Sequence, residues 1–547
     1  MLKNSLYCFL LLIGMQLQAQ QEWKLPTVRE PHFGKSIYRI TSYGAVPDGY
    51  VLNTKSIQAA IDACSQKGGG IVQVPAGLWL TGPIVLKSGV NLNLAAGATL
   101  LFTSDKSQYA LVEANWEGFP QMRNQSPISA ENARNIAITG KGIVDGNGDA
   151  WRAVKKDKLT ESQWKKRVAS GGVLSKDGRM WMPSESYARG DALKDPGRIS
   201  PDKTEAFYTS VKDFFRPNLL VLTSCDGVLL EGVTFQNSPA WCLHPLMSRN
   251  ITVRNVFVKN PWYAQNGDGI DLESCSNVRI ENSVFDVGDD ALCMKSGRDA
   301  DGRRRGVPTK DVVISGCTVY ASHGGFVVGS EMSGGVNNVY VNNCTFVGAD
   351  IGLRFKTTRG RGGIVENIFI RDIYMKDIPG DAILFDMYYM AKDPVPLEGE
   401  KRTLPKAETL PVDETTPQFR NIDIRNVYVN GAQRAVFMRG LPEMPVKNIS
   451  IRNAVFQARQ GISIQEAAGI RFEYIKVLSE DTDPVIDLIN AKDIAFDRFT
   501  YKADSRLLLR VSGSGSKAIR FTNTRYNQTV KKLETAAAAA AEAVSFQ

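Results

Sequence analysis

Four clusters of polar residues in the middle of the chain hold the groups that could do chemistry. In order they are Asn266-Gly267-Asp268-Gly269-Ile270-Asp271, Gly288-Asp289-Asp290, Ser322-His323-Gly324-Gly325 and Arg354-Phe355-Lys356. Each alone has an ordinary reading. Asn, Gly and Asp build turns, a lone His beside Gly is a surface residue, and an Arg and a Lys two apart on a strand face solvent. Together they hold the parts needed to break a glycosidic bond. That reaction takes one carboxylic acid to protonate the leaving oxygen and a second carboxylate to activate water or attack the sugar. Asp268, Asp289 and Asp290 supply both, provided they meet. Crowded carboxylates push at least one pKa up and so keep a proton available. Cations close by would hold a substrate that itself carries a carboxylate.

A repeat supplies the means of bringing them together. Between about residues 225 and 460 one phrase recurs: a polar residue, an apolar-polar alternation, an Asn or Gly, then a second alternation. Asn250-Ile251-Thr252-Val253-Arg254-Asn255-Val256-Phe257 and Asn277-Val278-Arg279-Ile280-Glu281-Asn282 are two copies, and others start at Asp226, Asp311, Asn338, Asn367, Asn421 and Asn448. Alternation with period two marks a half-buried strand, and the intervening Asn or Gly suits a turn with positive φ. The spacing of the copies predicts an all-β chain, a single parallel β-helix with loop insertions. Each polar cluster then falls in a successive coil, near the end of its second strand. Rungs about 4.8 Å apart turn the clusters into a column on one outer face. Arg354 and Lys356 point outward together while Phe355 enters the core. Longer intervals mark insertions at Arg298–Arg305, at about Trp151–Phe215, and in a Pro-rich excursion from Asp393-Pro394 to Pro417. Cys317 and Cys344 share an offset in neighbouring coils, which predicts an inward stack. Ser56–Cys64 reads as a capping helix over the open N-terminal end, where stacked rungs would otherwise expose strand edges.

Residues 1–19 read as a signal peptide: Lys3, an apolar run from Phe9 to Met15, and the small Ala19. The catalytic β-helix is expected over residues 20–530, and residues 531–547 form an Ala-rich tail of good helix propensity with no assigned role. An exported protein, periplasmic or secreted, is expected, with neither a membrane nor a nucleic acid as partner. The net charge of +9 suits a polyanion without requiring one. Of eight Cys, Cys8 leaves with the leader, and the odd number remaining argues against a complete disulfide framework. With only His32, His244 and His323, and no Cys or His cluster at ligand spacing, a structural zinc site is not expected.

The four clusters, in this order, resemble the Asn-Thr-Asp, Gly-Asp-Asp, Gly-His-Gly and Arg-Ile-Lys motifs of glycoside hydrolase family 28, the polygalacturonase family. Tyr43-Gly44-Ala45, Ile143-Val144-Asp145-Gly146-Asn147-Gly148 and Arg216-Pro217 resemble further landmarks. The resemblance implies a right-handed β-helix and an inverting hydrolase of the α-1,4-galacturonosyl linkages of pectin, with no metal or other cofactor. By position, it implies that Asp289 is the general acid, that Asp268 and Asp290 activate the water, and that His323 tunes the acid. Arg354 and Lys356 would bind the substrate carboxylate, with Asn266 and Lys295 as further contacts to the acidic polysaccharide. Inversion predicts carboxyl groups about 6.5–9.5 Å apart. The three insertions would wall off one end of the cleft and favour removal of terminal units. Three positions depart from the pattern: Gly267 where Thr is usual, Ser322 before the His, and Phe355 in place of Ile. Asp271 is open to two readings, a partner of the acidic group or a turn residue, and Lys295 likewise to a substrate contact or a simple ion pair. The alternatives are a hydrolase of rhamnogalacturonan or xylogalacturonan, a calcium-dependent pectate lyase, and a non-catalytic glycan-binding β-helix.

Overall fold

Residues that alternate apolar and polar along every copy of the repeat leave one side chain in two seeking an interior. Winding the copies into one parallel β-helix gives all of them the same interior. The computed structural model describes residues 25–391 and 408–547. It is a right-handed parallel β-helix in which nearly every strand pairs in parallel with its equivalents one coil away. Residues 1–19, expected to be a leader, lie outside the described residues, as does the part of the Pro-rich excursion from 392 to 407.

A coil contains three strands, for instance Ser276–Glu281, Val284–Asp286 and Asp290–Lys295. The expected turn residues do adopt positive φ: Asn282 at 48°, Asn343 at 51° and Asn453 at 52°. They also satisfy one another along the axis, since the Asn453 amide donates to Asn426 Oδ1 at 2.7 Å and that of Asn448 to Asn421 Oδ1 at 3.1 Å. Inside, equivalent residues stack in files. Val278 pairs with Val312, Val312 with Val339, and Val339 with Ile368, all fully buried. Cys317 and Cys344 are buried in adjacent coils, as the offset predicts.

One face carries the candidate chemistry. Its strands are β1 (Ile270–Glu273), β2 (Asp290–Lys295), β3 (Gly324–Val328), β4 (Leu353–Lys356), β5 (Ile364–Asp386), β6 (Gln418–Arg439) and β7 (Gln460–Gln465), each paired in parallel with the next. The first three polar clusters begin in the turn after the second strand of their coils and run into this third strand, while Arg354-Phe355-Lys356 lies wholly within β4. That differs from the expected place at the end of the second strand, because those second strands are only two or three residues long.

The N-terminal end is covered by a helix, Thr54–Gln66, which buries Ile57, Ala60, Ile61 and Cys64. The insertion at 151–215 folds into three short helices and a three-stranded antiparallel sheet. A second excursion, the antiparallel hairpin Leu111–Trp116/Phe119–Asn124, has no counterpart in the sequence reading. The tail also differs from its helical propensity. Lys531–Ala536 pairs with the strand at Leu507–Ser512, and Val544–Phe546 with that at Lys517–Thr522, so residues 531–547 complete the solenoid. Leu533, Val544 and Phe546 pack on the core there, and tertiary burial overrides intrinsic propensity.

Candidate active site

Register decides which side chains meet. Ile270 pairs with Leu292, and Asp290 with Gly324; two residues upstream of the first pair, Asp268 therefore lies beside Asp290. A second file outward from the sheet runs His244, Asp271, Cys293, Val327, Arg354. Asp271 pairs with Cys293 within β1, so it is a strand residue facing the site rather than a turn residue.

The three acids converge, with one carboxylate oxygen from each of Asp268, Asp289 and Asp290 within 4.8 Å of the others. Asp290 Oδ2 accepts from Lys356 Nζ at 2.7 Å, and Oδ1 from Arg354 Nη1 at 3.2 Å. The sequence reading gave both cations to the substrate; here both first engage Asp290. Phe355 between them is in the core, stacked 4.3 Å from Phe385, as strand alternation requires. His323 Nδ1 lies 3.1 Å from Asp289 Oδ1, and Asp289 also accepts from the backbone N–H groups of Asp290 and Asn266. The side chain of Asn266 is held by Arg216, its Oδ1 accepting from the Arg216 guanidinium at 2.8 Å. Gly267 has a steric reason: a Cβ there would come within 2.7 Å of Ala264 Cβ, so a Thr would displace the preceding loop.

Burial and neighbouring charge set these acids apart. For Asp290 burial alone raises the pKa, but Lys356 and Arg354 outweigh it and hold the carboxyl well below the usual range. Asp268 moves the other way. Burial raises it most, the negative charges of Asp271 and Asp289 add to that, and Lys295 only partly offsets them. Burial brings Asp271 up to about 6 against the opposing charges of Lys295 and His244. His323 is raised above its ordinary value by its hydrogen bond to Asp289. Charge and burial thus pull two neighbouring carboxyls in opposite directions, Asp290 toward the ionised form and Asp268 toward the protonated one. The trio is also compact enough to surround a cation, but the Lys356 ammonium and the Arg354 guanidinium already neutralise Asp290.

Sequence reasoning named Lys295 and Asp271 but missed Trp241, Glu331 and Glu273, which complete the floor of the site. Lys295 Nζ lies 3.1 Å from Asp271 Oδ1 and 3.8 Å from Glu331 Oε2, with its ammonium 3.6 Å above the Trp241 ring. Behind it, His244 Nε2 meets Glu273 Oε2 at 2.9 Å, and Arg305 donates to Glu273 Oε1 at 2.7 Å. Trp241 was findable: Leu243 pairs with Ile270, so Trp241 occupies the position of Asp268 one coil earlier. Glu331 stands outside the repeat and carried no such signal.

On the Trp241 side three excursions meet. Trp116, near the hairpin tip, stacks on Trp241 at 5.1 Å, and Glu117 pairs with Arg298 at 3.3 Å. Asp301, in the helix Asp299–Arg305, pairs with Arg198 of the long insertion at 3.0 Å, and Phe119 lies between Arg198 and Arg298. The acids therefore sit beside a wall built on their N-terminal side.

Comparisons with known proteins point to one family. The sequence model described as Glycosyl hydrolases family 28 matches residues 158–401. A "Probable polygalacturonase" of Vitis vinifera is 30% identical over 424 residues, 76% of this chain and 73% of that protein. An "Exo-poly-alpha-D-galacturonosidase" of Dickeya chrysanthemi is 31% identical over 361 residues, 64% of this chain but only 57% of that longer protein. Among solved structures, a hyperthermoactive exopolygalacturonase from Thermotoga maritima superposes with a TM-score of 0.62 at 31% identity, covering 80% of this chain and 89% of its own. The parallel β-helix, the acid trio on its outer face and these likenesses together establish that the chain is a glycoside hydrolase and belongs to glycosyl hydrolases family 28.

Proposed function

We infer that this enzyme hydrolyses the α-1,4-galacturonosyl linkages of pectin, removing units from a chain end. The observation that carries the reading is the acid trio with Asp290 clamped by Lys356 and Arg354. In the proposed mechanism Asp289, the most accessible of the three acids and hydrogen-bonded to His323, protonates the leaving oxygen. Asp290, kept ionised by its cations, takes the proton from the attacking water. Asp268, which the family resemblance pairs with Asp290 in activating the water, lies beside it with a pKa raised by burial and by Asp271 and Asp289. Arg354, less buried than Lys356, meets the sugar carboxylate beside its Asp290 contact, and Lys295 meets a second polar group on the opposite side.

The wall at Trp116, Glu117 and Arg298 supports exo action, since it stands where a longer chain would have to pass. The names of the Dickeya and Thermotoga relatives point the same way. The acid oxygens approach within 4.8 Å, closer than the roughly 6.5–9.5 Å expected for inversion and close to the spacing of retaining enzymes. Inversion therefore rests on the family resemblance. An exported location is proposed with it, from the leader-like residues 1–19 and from a polymer substrate that lies outside the cell.

One experiment tests the reading. The protein is incubated with polygalacturonate and, separately, with rhamnogalacturonan, and the released sugars and their first-formed anomer are followed by NMR. Monogalacturonate of inverted configuration from polygalacturonate is expected. An early ladder of oligomers would refute exo action, an unsaturated product would point to a lyase, and release only from rhamnogalacturonan would move the substrate to that polymer.

A further inference from the structure

The same sheet face continues past the acids into coils to which no role has been assigned. Lys356 pairs with Asp386, Asp386 with Arg439, and Arg439 with Gln465. In the neighbouring file Arg354 pairs with Leu384, Leu384 with Phe437, and Phe437 with Ser463. Residues in one file point to one side of a sheet, so Phe437 and Arg439 lie on the outer face that holds the active site. They stand two coils beyond Lys356, about 10 Å along the axis. Phe437 is flanked by guanidinium groups, with Arg434 4.5 Å and Arg439 5.4 Å from its ring centre.

The strip lies opposite the wall. Among the described residues, the sheet face available to a polymer whose end is held against Trp241 and Arg298 continues past the acids over β5, β6 and β7. From the functional reading above, that polymer carries a carboxylate on every unit. We propose that Arg439, Phe437 and Arg434 form a distal subsite for the galacturonate units on the leaving side of the cut, two or more residues beyond the scissile bond. Arg439 uses Nε and Nη2 on one oxygen, Asp386 Oδ1, at 3.0 and 2.8 Å. Its guanidinium has more N–H donors than that pair consumes and presents them in the fork that fits a carboxylate. The Phe437 ring offers a flat apolar surface to a pyranose. Further along its file comes Ser463 and then Asp487. A half-buried acid there marks where favourable ground for a polyanion ends.

A purely structural role is the competing account, because Arg439–Asp386 and Arg434–Asp381, the latter at 3.3 Å, also staple adjacent coils. The two accounts differ in what they do to substrate length. Oligogalacturonates from dimer to hexamer are turned over by the wild type, Arg439→Ala and Phe437→Leu, with melting temperature measured alongside. The subsite account expects losses that grow with chain length, small on the dimer and about tenfold in KM on the pentamer, with kcat little changed. A staple account gives the same relative loss at every length. Calorimetric binding of the pentamer to Asp289→Asn, with and without Arg439→Ala, separates this inference from the functional reading. If the wild type hydrolyses polygalacturonate but Arg439→Ala neither weakens pentamer binding nor flattens the length dependence, the subsite is wrong and the hydrolase stands. If polygalacturonate is neither cut nor bound, both fall.

Discussion

At the scale of the residue, the site depends on a conflict between burial and charge. A carboxylate as buried as Asp290 would ordinarily hold its proton; Lys356 at 2.7 Å and Arg354 at 3.2 Å reverse that. The reversal gives a prediction. Lys356→Met removes the larger opposing charge, so the Asp290 pKa rises and the carboxylate is lost at higher pH than in the wild type. The acid limb of the kcat/KM profile should move toward neutrality, and activity at the optimum should fall by about 10²–10⁴, the range for a lost general base. A profile that keeps its acid limb in place would show that Asp290 is not the titrating base. Asp268, Asp289, Asp290, His323, Arg354 and Lys356 were legible in the sequence because they recur once per coil. The pairing of both cations with Asp290 was not, since it depends on how far side chains reach between rungs.

At the scale of the element, strand β4 places chemistry by burying one ring. Phe355 stacks on Phe385 and meets Phe326 and Phe419 edge-on, which fixes the strand that aims Arg354 and Lys356. Phe355→Ala should cost about 3–5 kcal/mol, seen as a lowered melting temperature, with kcat falling as the two cations lose their support. Unchanged melting would mean that the phenylalanine stack is not what holds the strand. The strands and their Asn turns could be read from period-two alternation. The hairpin at 111–124 could not, because an antiparallel excursion outside the repeat leaves no periodic trace, and the wall it forms depends on pairs as distant in sequence as Glu117 and Arg298. The Ala-rich tail misled for the opposite reason: its local propensity is helical, while the solenoid end offers it a strand edge and an apolar floor.

At the scale of the whole molecule, the solenoid is closed beside the acids on its N-terminal side and offers cations and an aromatic ring on the C-terminal side, which gives the cleft a direction. Its C-terminal coils also carry a cost. Burial raises Asp487 to about 6, with Arg434 opposing, against about 3.9 in an unfolded chain. The folded state therefore binds the proton more tightly, and stability is lost as pH rises from about 4 to about 6. Asp487→Asn should remove that loss, stabilising the protein by roughly 3 kcal/mol above pH 6 and by nearly nothing at pH 4; equal melting temperatures at both pH values would contradict it. The central claim is that the clamped acid trio is the hydrolytic centre. Its most direct measurement is the rate at which wild type and Asp290→Asn release galacturonate from polygalacturonate, with melting curves taken on the same samples. The account predicts release by the wild type and a fall of about 10³-fold or more in the variant, with the fold retained. A variant that keeps its fold and most of its rate would contradict it.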